Sequence, residues 1–211
     1  MTQFSDLGLS QPVLQALDLK GYSTPTPIQA QAIPPVLSGR DLLGIAQTGT
    51  GKTAAFMLPS IDRLRDADKQ TPFKSCRMLV LAPTRELAGQ IAQSAKDYGA
   101  LAGLKVHSIV GGTSVNKDRN KLHRGTDILV ATPGRLLDLI DQKAFNLNGV
   151  EVLVLDEADQ MLDLGFIHAL RQIHQPAPKE RQTPFFSAPM PKQINAPGGP
   201  DCQAPGPSSV P

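Results

Sequence analysis

Residues Ala46-Gln47-Thr48-Gly49-Thr50-Gly51-Lys52-Thr53 form a glycine-rich turn between an apolar run and a helix-forming one. No other feature constrains the fold as tightly. Asp41 to Ala46 reads as a buried strand. Lys52 to Leu64, with Ala55, Phe56, Leu58, Ile61 and Leu64, reads as a helix. A turn of this composition between strand and helix is the setting of a phosphate-binding P-loop. Gly49 and Gly51 allow the backbone to aim several N–H groups at one point. The helix N-terminus adds partial positive charge there. Lys52 brings a full charge to the outer phosphates of a nucleotide, and the Thr53 hydroxyl suits Mg²⁺. The whole stretch from Ala46 to Thr53 is the predicted nucleotide cradle. Ala46 stands where the strict pattern has glycine, and its small side chain is compatible with the turn.

A second signal lies about a hundred residues on. Val150 to Leu155 is β-branched and apolar, as in a strand buried on both faces. It ends in Asp156-Glu157-Ala158-Asp159. In open α/β sheets, ligands bind at the carboxyl ends of strands. Alone, this segment could be a solvated acidic turn, the less favoured reading, and beside a P-loop it supplies the carboxylates that phosphoryl transfer needs. Asp156 is the predicted Mg²⁺ ligand, partly through water and together with Thr53. Glu157 is the predicted general base for the attacking water. Lys52, Asp156 and Glu157 make up the expected catalytic set for ATP and Mg²⁺.

Further strand-like runs fall near 77–82, 105–110 and 127–131, with helical segments such as Thr84 to Leu101 and Pro133 to Ile140 between them. This alternation predicts an α/β fold with a mostly parallel sheet and helices on both faces. The chain has 211 residues and 40% hydrophobic content, enough for one large domain with or without a tail. Its net charge is only +2, so any basic surface must be local, and the absence of Trp argues against extensive base stacking. Cys76 and Cys202 have no metal-ligand spacing and read as free thiols. The four histidines cluster with no cysteine, which gives no zinc signal. The N-terminus does not read as a signal peptide, and no apolar run approaches membrane-spanning length. A cytoplasmic monomer without membrane contact is expected. Residues 176–211 hold ten of the nineteen prolines. From residue 196 the chain is almost devoid of large apolar residues, which predicts an extended or disordered tail.

In combination and in order, these motifs resemble those of the DEAD-box ATP-dependent RNA helicases, bacterial members above all. Gly21-Tyr22-Ser23-Thr24-Pro25-Thr26-Pro27-Ile28-Gln29 resembles the family's Q motif, with Phe4 as its isolated upstream aromatic. The resemblance assigns Tyr22, Thr24 and Gln29 to the adenine side of the nucleotide. Tyr22 offers a stacking face and Gln29 an amide for the base edge. Taken singly, Tyr22 and Phe4 would more often be packing residues, and Gln29 a surface helix residue. Pro83-Thr84-Arg85-Glu86-Leu87, Gly111-Gly112 and Thr132-Pro133-Gly134-Arg135 resemble the family's RNA-contacting motifs. The implied RNA-binding residues are Pro83, Thr84, Arg85, Gly111, Gly112, Thr132, Pro133, Gly134 and Arg135. Their backbone N–H groups, hydroxyls and charges suit phosphates and 2′-hydroxyls rather than base edges. Singly, these would be ordinary strand-to-helix turns, and Arg135 could equally pair with a nearby carboxylate. The resemblance spans roughly residues 1–195. It implies a RecA-like P-loop fold, with residues 1–39 as the Q-motif region and N-terminal helices, 40–195 as the ATP-binding domain and 196–211 as the tail.

Two departures from the family pattern bear on activity. The family has a second RecA-like domain that supplies arginine fingers and half of the RNA site. Nothing after residue 195 resembles it, so a second domain would have to act in trans. The motif that couples hydrolysis to unwinding, usually Ser-Ala-Thr, here reads Ser187-Ala188-Pro189. Proline lacks both the hydroxyl and a backbone N–H. Pro184 also falls inside the expected strand Thr183 to Ser187, where it removes a ladder hydrogen bond. The expectation is the ATP-binding half of an RNA helicase, slow in hydrolysis and unable to unwind by itself. The alternative is a nucleotide-dependent RNA- or partner-binding module without useful turnover.

Overall fold

Apolar strands alternating with amphipathic helices turn into a single parallel sheet in the computed structural model, which describes residues 2–46, 49–65, 70–187 and 209–210. Its strands are β1 (Leu43–Ile45), β2 (Cys76–Leu81), β3 (Val106–Ile109), β4 (Thr126–Ala131), β5 (Val152–Leu155), β6 (Phe185–Ser187) and the two-residue β7 (Ser209–Val210). They lie in the order β3-β4-β2-β5-β6-β1-β7, and every pairing is parallel. The helices are α1 (Gln11–Leu19), α2 (Pro27–Leu37), α3 (Lys52–Leu64), α4 (Arg85–Gly99), α5 (Val115–Leu122), α6 (Pro133–Asp141), α7 (Ala158–Asp163) and α8 (Ile167–His174).

Successive side chains of a strand point to opposite faces, and the core divides accordingly. Met78, Val80, Ile128, Val130, Val152, Val154 and Phe186 join residues of α1 to α4 in one apolar cluster. Leu79, Leu81, Leu129, Ala131 and Leu153 join α6, α7 and α8 in a second cluster on the other face. All six residues of β2 are buried, which explains its unbroken apolar reading. Its one cation, Arg77, donates to Glu151 Oε1 at 2.8 Å and to the Leu64 carbonyl at 2.7 Å. Phe4 lies in the first cluster at 5% exposure, so here it is a packing residue. Cys76 is a buried free thiol whose pKa is raised by burial.

Proline at 184 shortens the sheet where the sequence predicts a strand from Thr183. Gln182 donates its N–H to the Glu151 carbonyl at 2.9 Å and accepts from Leu153 N–H at 2.9 Å. Leu155 N–H then reaches the Pro184 carbonyl at 3.3 Å. In a parallel ladder the donor for the Leu153 carbonyl would be the N–H of residue 184, which proline lacks. Regular strand structure begins only at Phe185. The Gln182 side chain ties this region down: its Nε2 donates to the Val36 and Arg40 carbonyls, and its Oε1 accepts from Arg63 Nη1. Among the described residues, no helix is long and apolar enough to cross a membrane.

Candidate nucleotide and nucleic-acid site

Strand order decides which motifs meet. In a parallel sheet every strand ends on the same edge, and neighbours are about 4.8 Å apart. The neighbours β5, β6 and β1 therefore bring Asp156, Ser187 and the cradle after Ile45 together, separated along the chain by up to more than a hundred residues. On the same edge, β3, β4 and β2 bring together Gly111-Gly112, Thr132 to Arg135 and Pro83 to Arg85. The candidate site is thus a line along one sheet edge, with the predicted nucleotide residues at one end and the predicted RNA-contacting residues at the other.

In the cradle, Gly49 and Gly51 adopt φ of 81° and 92°, left-handed values that L side chains resist. Gly51 directly precedes α3, and a β-carbon there would collide with the Gln29 amide. Gln29 itself is 7% exposed. Its Oε1 accepts from Thr26 N–H at 3.0 Å in a capping box that starts α2. Its Nε2 donates to the Gly51 carbonyl at 3.1 Å, while the Thr26 hydroxyl donates to the Thr50 carbonyl at 2.9 Å. Sequence reasoning gave Gln29 only a base-edge role. These two struts carry the cradle as well, a contact between residues over twenty positions apart that no local pattern reveals. Tyr22 is 50% exposed and Thr24 is exposed, both on the loop before α2. Gln47 and Thr48 lie outside the described residues.

Lys52 and Asp156 form the electrostatic centre. Lys52 is 6% exposed and Asp156 2%. Neither Lys52 Nζ nor Asp156 Oδ1 has a hydrogen-bond partner among the described residues. Burial pushes the Asp156 carboxyl up to about 6; the Lys52 charge opposes that rise and Glu157 adds to it. Buried polar atoms without partners are rare and expensive. Two such atoms of opposite charge in one motif region suit a ligand that carries both negative charge and a cation. The available donors, a Thr53 hydroxyl and carboxylate oxygens, are hard oxygen ligands of the kind Mg²⁺ takes. The chain therefore fits a metal-bound polyphosphate.

Glu157 sits in the left-handed region at φ 53°, ψ 50°, and opens α7. A non-glycine residue there stores local strain, which recurs at functional sites. Beside it, Asp159 Oδ1 accepts from the Ser187 hydroxyl at 3.0 Å, tying the acidic motif to the end of β6. Ala188 and Pro189 lie outside the described residues.

At the other end, the Arg85 guanidinium lies against the Gly111-Gly112 backbone, so closely that a β-carbon at Gly112 would overlap it. Gly112 has φ 84°. Thr84 and Arg85 are exposed, Pro83 is buried, and the Thr84 hydroxyl accepts from Leu87 N–H at 3.2 Å to cap α4. Thr132 is 8% exposed and spends its backbone N–H on the Ile109 carbonyl at 3.2 Å. Pro133 is buried at the first turn of α6 and Gly134 is exposed. Arg135 is 7% exposed: Nη1 reaches Asp118 Oδ2 at 3.3 Å and Nη2 the Thr113 carbonyl at 2.7 Å. Its geometry is that of an internal brace on the loop after Gly112. Asp118 is the partner that sequence spacing alone left unnamed.

Comparison with known proteins finds related sequences. The family model for DEAD/DEAH box helicases matches residues 26–196. The RNA helicase CrhR of Synechocystis sp. is 47% identical over 191 residues, 90% of this chain and 38% of that protein. The ATP-dependent RNA helicase DeaD of Escherichia coli K12 is 47% identical over 194 residues, 92% of this chain and 30% of that protein. DEAD-box ATP-dependent RNA helicase 20 of Oryza sativa is 45% identical over 192 residues, 91% of this chain and 39% of that protein. The chain thus spans well under half the length of these relatives.

Proposed function

From the premise that the chain belongs to the DEAD/DEAH box helicase family, we propose that it is the ATP- and RNA-backbone-binding half of an ATP-dependent RNA helicase. The observation that carries this reading is the pair of buried, opposite charges Lys52 and Asp156, whose Nζ and Oδ1 lack a hydrogen-bond partner among the described residues, on the sheet edge where β6 alone separates β1 from β5.

The cradle from Ala46 to Thr53 would wrap the phosphates with backbone N–H groups, and Lys52 would neutralise their charge. Thr53 and Asp156 would hold Mg²⁺, which when bound draws charge from the outer phosphates. Glu157 would orient a water and take up its proton as that water attacks. Tyr22, Thr24 and Gln29 would select adenine. Thr84, Arg85, Gly111, Gly112, Thr132 and Gly134 would contact RNA phosphates and 2′-hydroxyls, with Pro83, Pro133 and Arg135 holding their loops in shape. A cytoplasmic, monomeric chain is part of the proposal.

An arginine finger is worth about 10³- to 10⁵-fold in rate in related phosphoryl-transfer enzymes. We expect these residues assayed by themselves to hydrolyse ATP slowly, and faster when a second RecA-like domain is supplied in trans. Steady-state ATPase with and without single-stranded RNA tests the reading. RNA-stimulated turnover abolished by Glu157→Gln supports it, and equal stimulation by DNA refutes RNA selectivity. A second reading, a nucleotide-dependent RNA- or partner-binding module without useful turnover, draws on the ladder break at Pro184 and on Pro189 in the coupling motif. Nucleotide binding without turnover would favour it.

A further inference from the structure

The charge of this chain is concentrated on a face that none of the motifs uses. Residues 115–124 carry Lys117, Arg119, Lys121 and Arg124 against the single carboxylate of Asp118. Their sum of +3 exceeds the +2 of the entire chain, so the rest is slightly acidic overall. Asp118 cannot offset these cations at the surface, because it is 3% exposed and committed to Arg135 and to the Thr113 hydroxyl.

Lys117 and Lys121 are four residues apart on α5, and Arg124 lies three further on, past a His123 that keeps helical dihedrals. That spacing forms one stripe, and all three residues are exposed. Like charges four apart on a helix cost about 0.2–0.5 kcal/mol, so the stripe is not there for helix stability. Lys96 and Lys105 extend the field: together with Lys121 they act on His107 of the edge strand β3, secondary to its burial, in lowering the pKa of its imidazole. Of the acids beside these cations, Asp127 accepts from the Thr71 hydroxyl and from Lys105 N–H, and Asp97, next to Lys96, is paired with Lys20 at 2.6 Å. Among the described residues, none of the cations Lys96, Lys105, Lys117, Lys121 and Arg124 forms an ion pair.

The position of the stripe identifies its partner. α5 begins at Val115, directly after Gly111-Gly112-Thr113. It then leads away from the sheet edge, Lys117 to Arg124 spanning about 10 Å at helical rise. We propose that this basic flank of α5 and β3 is an electrostatic track for the phosphodiester backbone of RNA beyond the segment held at the motif loops. The proposal rests on the RNA reading of those loops for the strand's starting point. The recognition is charge on phosphate, without base readout.

The test compares a six-nucleotide and a twenty-nucleotide oligouridine, titrated against the full chain across a range of salt. The variant is Lys117→Gln/Lys121→Gln/Arg124→Gln, with glutamine chosen to keep helix propensity. For the long RNA, the log–log salt slope should fall by about 2, near 0.7 per lost phosphate contact on single strands. Its affinity at low salt should drop tenfold or more. The short RNA should bind as tightly as to wild type, which also reports an intact fold. A long-RNA affinity and slope equal to wild type would overturn the track. Failure of the motif reading shows separately, as short-RNA affinity unchanged by Arg85→Ala. In that case a long-RNA loss in the triple variant still supports the track.

Discussion

The Gln29 side chain donates to the Gly51 carbonyl at 3.1 Å while accepting from Thr26 N–H at 3.0 Å. One amide thus starts a helix and braces the glycine-rich loop. Gln29→Ala removes both functions. Loss of a capping interaction and one further hydrogen bond should cost about 1–2 kcal/mol in thermal or denaturant unfolding. Preference for ATP over GTP should be lost too. If GTP already binds wild type as tightly as ATP, the base-edge role of Gln29 is wrong while its bracing role stands.

Asp156 sets a pH dependence. Its folded pKa, near 6, exceeds the ordinary carboxylate value of 3.8 because of burial. The protonated form is therefore favoured on folding, and the associated stability is present below about pH 4 and lost as pH rises through 6. A two-unit shift corresponds to something on the order of 2–3 kcal/mol. Nucleotide-free Asp156→Asn should be more stable than wild type at pH 7 and level with it near pH 4, as read by urea melts at both pH values. An equal difference at both would exclude the titration. Mg²⁺-ATP affinity of wild type should weaken below pH 6, since the metal needs the ionised carboxylate.

Lys52 carries a buried charge with no hydrogen-bond partner among the described residues. Lys52→Ala should keep the fold and abolish nucleotide binding. At a ligand concentration of 100 Kd, binding stabilises wild type by about 2.7 kcal/mol. That gain should vanish in the variant while the melt without ligand remains cooperative. An unchanged ATP affinity would dismiss the cradle assignment.

Gly112→Ala places a β-carbon where the Arg85 guanidinium lies and forces alanine into φ 84°. The backbone strain is about 1–2 kcal/mol. Because Arg85 must also leave, RNA affinity should fall, whereas ATP affinity measured without RNA should be unaffected.

Arg135→Ala strands the Asp118 carboxylate, whose side chain is only 4% exposed. Removing one member of a buried ion pair costs about 3–5 kcal/mol. The double variant Arg135→Met/Asp118→Leu should recover much of that loss in a denaturant melt, since no buried charge is left unpaired.

Much of this was legible in the sequence, for identifiable reasons. Strands buried on both faces announce themselves as apolar runs, so β2, β4 and β5 fall within one or two residues of expectation. α3 spans Lys52–Leu64 as its periodicity predicts, despite Pro59 inside it. Pairing order was not legible, because β6, almost last in the chain, inserts between β5 and β1, a choice made by crossover geometry. Nor was the dual role of Gln29, or the choice of Asp118 by Arg135, since each joins residues that no periodicity links. For Phe4 the sequence left packing and the upstream-aromatic role evenly weighed, and the fold buries it in the core.

The missing donor at Pro184 has one more consequence. It leaves one gap in the β5–β6 ladder, a seam with β3, β4, β2 and β5 on one side and β6, β1 and β7 on the other. The acidic motif rides on the first panel and the phosphate loop on the second. A polyphosphate gripped by Lys52 and Asp156 would rivet the two panels together, so ligand occupancy would show as slower amide exchange at Leu155 on the seam.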